Sequence, residues 1–68
     1  MKIIKIGENR YRCYLENKLL ATISLCNYLY CTYNFTIHKN KFKSFKVGYL
    51  HNKSVEDFIY DNLKNIIN

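Results

Sequence analysis

The chain has 68 residues, of which 49% are hydrophobic and 16% aromatic, and 11 Lys and Arg against 5 Asp and Glu give a formal net charge of +6. A chain of this length has room for one small core, and its apolar content is too high for an intrinsically disordered segment. Two glycines and no proline exclude collagen-like and proline-rich sequences. We therefore predict a single folded domain over residues 1–68.

The N-terminal half predicts three strands. Residues 2–6 form a β-branched run before a Gly-Glu-Asn turn, and residues 10–16 and 19–26 each alternate apolar with polar side chains. Directly opposed residues of antiparallel strands share a face, so a two-residue loop at 17–18 would set apolar side chains against polar ones. We therefore predict a three-residue loop with a bulge at residues 16–18.

Two more strands and a helix follow. Residues 28–38 alternate most regularly, and residues 42–50 predict a further strand. Ser54 has Asp57 three residues later, which is typical of a helix N-cap, and apolar side chains at helical spacing predict a helix over about 55–67. Asn62 is the one polar residue inside that apolar stripe, and an edge position or a hydrogen bond to a strand end would explain it. The prediction is an α+β fold, with an antiparallel sheet of four to five strands and one C-terminal helix packed on one face.

The cysteines and histidines give a weak chemical signal. Three cysteines form an odd number without a C-x-x-C pair, which favours reduced, buried thiols over a disulfide framework or a zinc site. A Cys-His nucleophilic pair would need His38 or His51 within hydrogen-bond reach, which sequence spacing does not reveal. No P-loop, G-x-S-x-G or H-E-x-x-H motif is present. We therefore expect a non-enzyme with no metal and no cofactor.

The hydropathy pattern predicts a soluble protein. The first seven residues lack the apolar run of a secretory signal, and the most apolar segment is too short to span a bilayer. The expected location is the cytoplasm of a bacterial host, with no membrane partner.

The predicted helix-free face of the sheet is the first candidate binding surface. Tyrosine and arginine are enriched at binding hot spots, and both stack on bases or contact phosphates. The alternative is that the tyrosines pair across strands and shield a thin sheet. The residues predicted to bind a partner there are Arg10, Arg12, Tyr14, Tyr28, Tyr30 and Asn34.

A lysine-rich segment at the predicted tip of a hairpin is the second candidate. Ile, Asn, Lys and Tyr, which A/T-rich codons encode, fill 33 of 68 positions, so part of the basic excess reflects composition. Composition alone would scatter the lysines, whereas four fall close together: Lys39, Lys41, Lys43 and Lys46. Such a tip can follow a phosphate backbone, or its charges can deter edge-to-edge pairing of sheets. An open sheet edge also permits strand addition and a homodimer.

The order of strands before Gly48-Tyr49-Leu50 and the capped helix Ser54-Val55-Glu56-Asp57-Phe58 resembles the N-terminal DNA-binding domain of phage and transposon integrases. That resemblance spans about residues 10–67 and implies a three-stranded sheet that lies in the DNA major groove. The chain departs from the pattern in its extra N-terminal strand and its tyrosine-rich face.

At the level of protein class, the short length, A/T-rich composition, strand meander with a helix and lack of catalytic motifs are similar to small phage-encoded inhibitors of bacterial defence, including anti-CRISPR proteins. The resemblance implies a protein that occludes a host nucleic-acid-handling defence complex stoichiometrically. The expected partner is thus a host protein or nucleoprotein complex, bound by a monomer or homodimer. The alternative is a small domain that binds DNA or RNA directly through its basic face.

Overall fold

A computed structural model describes residues 1–39 and 42–66 of the chain. Five antiparallel strands follow one another in the order of the sequence, and a helix comes after them. The predicted α+β fold is confirmed. The elements are β1 (Lys2–Gly7), β2 (Arg10–Leu15), β3 (Lys18–Asn27), β4 (Thr32–His38), β5 (Phe42–Gly48) and α1 (Val55–Leu63).

Alternation along the strands places one set of side chains beneath the helix. Opposed residues of neighbouring strands share a face, as in the pair Ile23 and Phe35 between β3 and β4. The strand residues buried on this side are Tyr11, Cys13, Leu20, Ala21, Ile23, Tyr33, Phe35 and Ile37. Together with three residues of α1 they form the core of the protein.

The turn between β2 and β3 differs from the prediction. It contains two residues, Glu16 and Asn17, with φ of 52° and 65°, and Leu15 pairs with Lys18. Such a turn alone would bring apolar side chains opposite polar ones, but the register shifts by one residue within the hairpin, at Leu20. The predicted three-residue loop was therefore wrong, and the required bulge lies inside the strand.

The fourth strand begins four residues later than predicted. Residues 28–31 form a turn, and β4 covers only Thr32–His38. The Asn27 side-chain oxygen accepts the backbone N–H of Tyr30 at 3.1 Å, and Cys31 takes a φ of 49°, which is incompatible with a strand. The alternation of residues 28–31 is therefore not that of a strand, and the predicted strand 28–38 is corrected to 32–38.

The helix covers the sheet through three buried side chains, Phe58, Ile59 and Leu63. The Phe58 ring lies 5.6 Å from that of Tyr33 and 5.8 Å from that of Phe35, measured between ring centroids. This aromatic cluster joins the helix to β4. Its geometry is the tilted or edge-to-face arrangement that aromatic pairs favour.

The ends of the helix follow from its polar residues. Ser54 is the N-cap, as predicted, because its hydroxyl accepts the backbone N–H of Asp57 at 3.1 Å. The helix ends at Leu63 and passes into a turn, so the prediction of helix to residue 67 is corrected for residues 64–66, and residue 67 lies outside the described part of the chain. Asn62 donates to the carbonyl of Phe58 at 2.8 Å, so its side chain is satisfied within the helix rather than at a strand end.

Candidate binding face of the sheet

The helix leaves one side of the sheet uncovered, and we call this side the open face. Its residues are those that alternate with the buried ones along each strand. Most of them are polar or basic. The described side chains of the open face include Lys2, Ile4, Arg10, Arg12, Tyr14, Leu19, Thr22, Ser24, Thr32, Asn34, Thr36, His38, Ser44 and Lys46.

The register aligns these side chains in two rows across β2, β3, β4 and β5. One row runs Arg10, Ser24, Asn34 and Lys46, and the adjacent row runs Arg12, Thr22, Thr36 and Ser44. Neighbouring strands lie about 4.8 Å apart, so the backbones of Arg10 and Lys46 at the two ends of the first row are about 14 Å apart across the sheet. Between them stand hydroxyl and amide groups that donate and accept hydrogen bonds.

Acidic side chains are absent from the two rows of the open face. All five carboxylates of the chain lie elsewhere: Glu8 and Glu16 in hairpin turns, and Glu56, Asp57 and Asp61 on the helix. The Asp61 carboxylate pairs with Lys53 and, at 3.6 Å, with Lys64. The hydrogen bond from Lys53 is the main cause that lowers the pKa of Asp61. Three of the five carboxylates thus lie on the helix. Glu16 lines a hollow with Lys2 and Tyr14 at the β1–β2 edge of the open face, whereas no carboxylate lies in the two rows that hold Arg10, Arg12 and Lys46.

Shallow hollows mark the open face near β1 and β2. A hollow of about 190 Å³ is lined on this side by Ile6, Arg10, Arg12, Thr22 and Ser24. A larger hollow of about 450 Å³ lies at the β1–β2 edge and includes the half-buried Tyr14. Both sit where a ligand on the open face would contact arginine or tyrosine.

Hydrogen bonds between side chains order the polar centre of the face. Thr22 Oγ1 lies 3.2 Å from His38 Nε2, and Asn34 Nδ2 donates to Thr36 Oγ1 at 3.5 Å. These contacts restrict the rotamers of side chains that would otherwise lose entropy when a ligand binds.

Four of the predicted binding residues occupy the expected face: Arg10, Arg12, Tyr14 and Asn34. Tyr28 and Tyr30 do not, because the segment 28–31 is a turn. Their side chains are 74% and 71% exposed, and Leu29 between them is 80% exposed. We call residues 28–30 the aromatic tip. Its placement on the sheet was wrongly predicted, since alternation alone does not separate a strand from an exposed turn.

The predicted lysine cluster is divided between the two sides of the sheet. Lys46 pairs with Asn34 on the open face, whereas Lys43 pairs with the buried Ile37 on the helix side. Lys39 donates to the carbonyl of Ile66 at 2.7 Å and so is directed to the end of the helix. Lys41 lies outside the described residues. The described lysines of this segment therefore do not form one patch.

The hydroxyl-bearing residues of the two rows were not among the predicted partner-binding residues, although alternation predicted that Thr22, Ser24 and Thr36 face outward. Thr22, Ser24, Thr36 and Ser44 occupy the centre of the two rows. Their outward orientation follows from alternation, but their alignment with Arg10 and Arg12 follows from the register shift near Leu20, which local pattern does not give.

A Cys-His contact, which sequence spacing left open, lies at the end of the sheet. The prediction of buried thiols was correct for Cys13 but wrong for Cys26, which is exposed, and for Cys31, which is half-buried. His51 Nε2 lies 3.1 Å from Cys31 Sγ, and the backbone N–H of Tyr49 donates to the Cys31 carbonyl at 2.9 Å. The Tyr49 ring packs on His51 with a centroid separation of 4.4 Å. Among the described residues, no three His, Cys, Asp or Glu side chains are grouped as a metal site would require.

No family model, curated protein or solved structure matches the chain. No helix in the described ranges 1–39 and 42–66 is long and apolar enough to cross a membrane.

Proposed function

We propose that the protein is a non-catalytic binding protein whose open face contacts the phosphate backbone of a nucleic acid. The observation that carries the proposal is that the two rows of the open face hold three cations and no carboxylate. Arg10, Arg12 and Lys46 project from the open face, while every side-chain carboxylate lies on the helix or in a hairpin turn. A surface with cations and no carboxylates attracts polyanions and releases their counterions on binding.

The polar groups between the cations also suit this ligand. Hydroxyl and amide side chains donate to phosphate and sugar oxygens, and such contacts make up much of a protein–nucleic acid interface. Thr22, Ser24 and Asn34 occupy this position in the two rows. The uncovered side of the sheet allows them to contact the ligand together with the arginines.

Fluorescence anisotropy with a labelled DNA duplex and a labelled single strand tests this proposal. On duplex DNA, each phosphate contact contributes about −0.9 to the slope of the logarithm of the association constant against the logarithm of the salt concentration. Three phosphate contacts therefore predict a slope of about −2.7. The double variant Arg10→Gln, Arg12→Gln should retain about one third of that slope and bind more weakly.

The matched control removes two charges from the other side of the sheet. Lys5 pairs with Tyr11 and Lys18 with Leu15, which places both lysines on the helix side. The double variant Lys5→Gln, Lys18→Gln has the same net charge as the arginine variant. It should keep the wild-type slope, and equal losses in both variants would show that net charge rather than the open face determines binding.

A second candidate function is supported by the aromatic tip. Tyr28, Leu29 and Tyr30 form an exposed cluster that the hydrogen bond from the Tyr30 N–H to Asn27 holds in one conformation. Large exposed apolar side chains on a fixed turn are typical of protein-binding hot spots. In this function the protein would occlude a host protein or nucleoprotein complex, such as a bacterial complex that defends against phage, in a fixed stoichiometry.

The two functions differ in a pull-down from a bacterial lysate with and without nuclease. Occlusion predicts a stoichiometric protein partner that survives nuclease and loses about 2 kcal/mol or more of binding free energy in Tyr28→Ala or Tyr30→Ala. Tyr60→Ala is the control, because Tyr60 is also exposed but lies on the helix. Nucleic-acid binding would be favoured if nuclease treatment abolished the capture of partners and if the Arg10→Gln, Arg12→Gln variant captured none.

A further inference from the structure

The Cys-His contact at the end of the sheet lies outside the open face and takes no part in the proposed function. Cys31 Sγ and His51 Nε2 are 3.1 Å apart, although 20 residues separate them in the chain. This distance places a ring nitrogen where it can accept the thiol proton. The thiolate that results is the nucleophilic form of cysteine.

The backbone holds the two residues in uncommon conformations. Cys31 has a φ of 49° and His51 a φ of 58°, and both lie in the left-handed region that residues other than glycine rarely adopt. Local strain of this kind concentrates at functional sites. The bond from the Tyr49 N–H to the Cys31 carbonyl and the packing of the Tyr49 ring on His51 fix the pair against the sheet.

We propose that Cys31 is a reactive thiol, activated by His51, that forms mixed disulfides with small disulfides such as oxidised glutathione. Thiol–disulfide exchange needs an attacking thiolate and a proton for the leaving thiolate, and the pair supplies both. Cys31 Sγ attacks one glutathione sulfur, so a bond between Cys31 and that sulfur forms as the S–S bond of the reagent breaks. The proton passes from Cys31 to His51 and then to the departing glutathione. Cys31 is thereby oxidised and one glutathione is reduced.

Cys26 provides an internal comparison. It is a free cysteine that is more exposed than Cys31. Each thiol lies near a backbone carbonyl, Thr32 at 3.3 Å for Cys26 and Tyr28 at 3.8 Å for Cys31, but only Cys31 also contacts a histidine. If exposure alone set the reactivity, Cys26 would react faster than Cys31. The proposal predicts the opposite order. Cys13 is fully buried and should be unreactive in the folded protein.

The experiment treats the full chain at neutral pH with oxidised glutathione and, separately, with iodoacetamide, and follows each cysteine by mass spectrometry. Cleavage by chymotrypsin after residues 28–30 separates Cys26 from Cys31. We expect Cys31 to react about tenfold faster than Cys26 with both reagents, because the His51 ring nitrogen lies where it can take up the thiol proton during the attack. Equal rates, or faster reaction of Cys26, would overturn the proposal.

Two histidine variants test the role of the ring. His51→Asn should lower the rate of Cys31 to that of Cys26 or below, and asparagine tolerates the left-handed backbone at this position. His38→Asn, which alters the other histidine, should leave the rate of Cys31 unchanged. Circular dichroism establishes that both variants fold. An unchanged rate of Cys31 in folded His51→Asn would refute activation by His51.

Discussion

At the scale of single residues, the core contains ionisable groups of one kind, a thiol and two phenols, which are uncharged while they keep their protons. Cys13 is 0% exposed, and Tyr11 and Tyr33 lie beside it in the core cluster. Burial is the main cause that raises the pKa of all three, since a low-dielectric interior disfavours the charged form. The folded protein therefore holds these protons more tightly than the unfolded chain does.

A decline in stability at alkaline pH follows from these pKa shifts. The unfolded chain loses the Cys13 proton near the ordinary thiol pKa of 9.0, whereas the folded protein keeps it to higher pH. The contribution of Cys13 to the free energy of unfolding should be constant below pH 9.0. Above pH 9.0 it should fall by up to about 1.4 kcal/mol per pH unit, which is the value for one proton. Urea denaturation at a series of pH values measures the decline.

The Cys13→Ala variant isolates the contribution of this thiol. It is less stable overall, but its decline just above pH 9.0 should be shallower than that of the wild type. Cys26→Ala, which changes an exposed thiol, should retain the wild-type pH dependence. If the Cys13→Ala variant showed the same decline as the wild type, the decline could not be attributed to the Cys13 thiol.

At the scale of elements, hydrophobic alternation predicted where strands exist but not where they turn. The predicted β1, β2, β3 and β5 correspond to observed strands within two residues at each end. The alternation of residues 28–31 misled because Leu29 and Cys31 fit the apolar positions, yet Asn27 closes a turn there through its side chain. Turn chemistry that depends on one hydrogen bond is not visible in a hydrophobic pattern.

The hairpin between β2 and β3 offers a test at the same scale. Glu16 has a φ of 52°, and this conformation costs an ordinary L-residue about 1 kcal/mol. Two-residue turns in which both residues have positive φ, as here, prefer glycine or asparagine. Glu16→Gly should therefore raise the free energy of unfolding by up to about 1 kcal/mol, because relief of this cost outweighs the added chain entropy of glycine. The midpoint of urea denaturation measures the change.

Glu8→Gly is the matched control, since Glu8 also lies in a hairpin turn but is not among the residues with positive φ. The entropy of glycine then acts without relief of strain, and the variant should be no more stable than the wild type. A stabilisation of equal size in both variants would indicate loss of acidic charge, rather than backbone conformation, as the cause.

At the scale of the whole molecule, the two layers are joined through a small number of side chains. A domain of this size has a free energy of unfolding of about 3–10 kcal/mol. Phe58 is 7% exposed and contacts the rings of Tyr33, Phe35 and Tyr49. Its ring is therefore one of the three buried side chains that join the helix to the sheet, and it contacts residues from β4 and from the segment after β5.

Loss of this ring should remove much of the stability of the domain. Phe58→Ala should lower the free energy of unfolding by about 3–5 kcal/mol, since it leaves a cavity between the layers. Thermal denaturation followed by circular dichroism measures the effect. Tyr60→Ala, on the exposed side of the same helix, should change the free energy by less than about 1 kcal/mol. Similar losses in the two variants would contradict this view of the helix packing.

The candidate site also belongs to this scale, because it exists only when the strands are in register. The sequence predicted Arg10, Arg12, Tyr14 and Asn34 on one face from alternation within single strands. The rows that join the arginines to Thr22, Thr36 and Lys46 depend on pairing between strands, and the position of three of the five carboxylates away from that face depends on which side the helix covers. Neither is a local property of the chain.

The most direct test of the open face is an NMR titration of the isotopically labelled protein with a short DNA duplex at low salt. The side-chain N–H signals of Arg10, Arg12 and Asn34 should shift progressively, and the amide signals of the helix, residues 55–63, should move little. Shifts confined to the helix or to the aromatic tip, or no shift at any side chain of the open face, would contradict the proposal that this face binds nucleic acid.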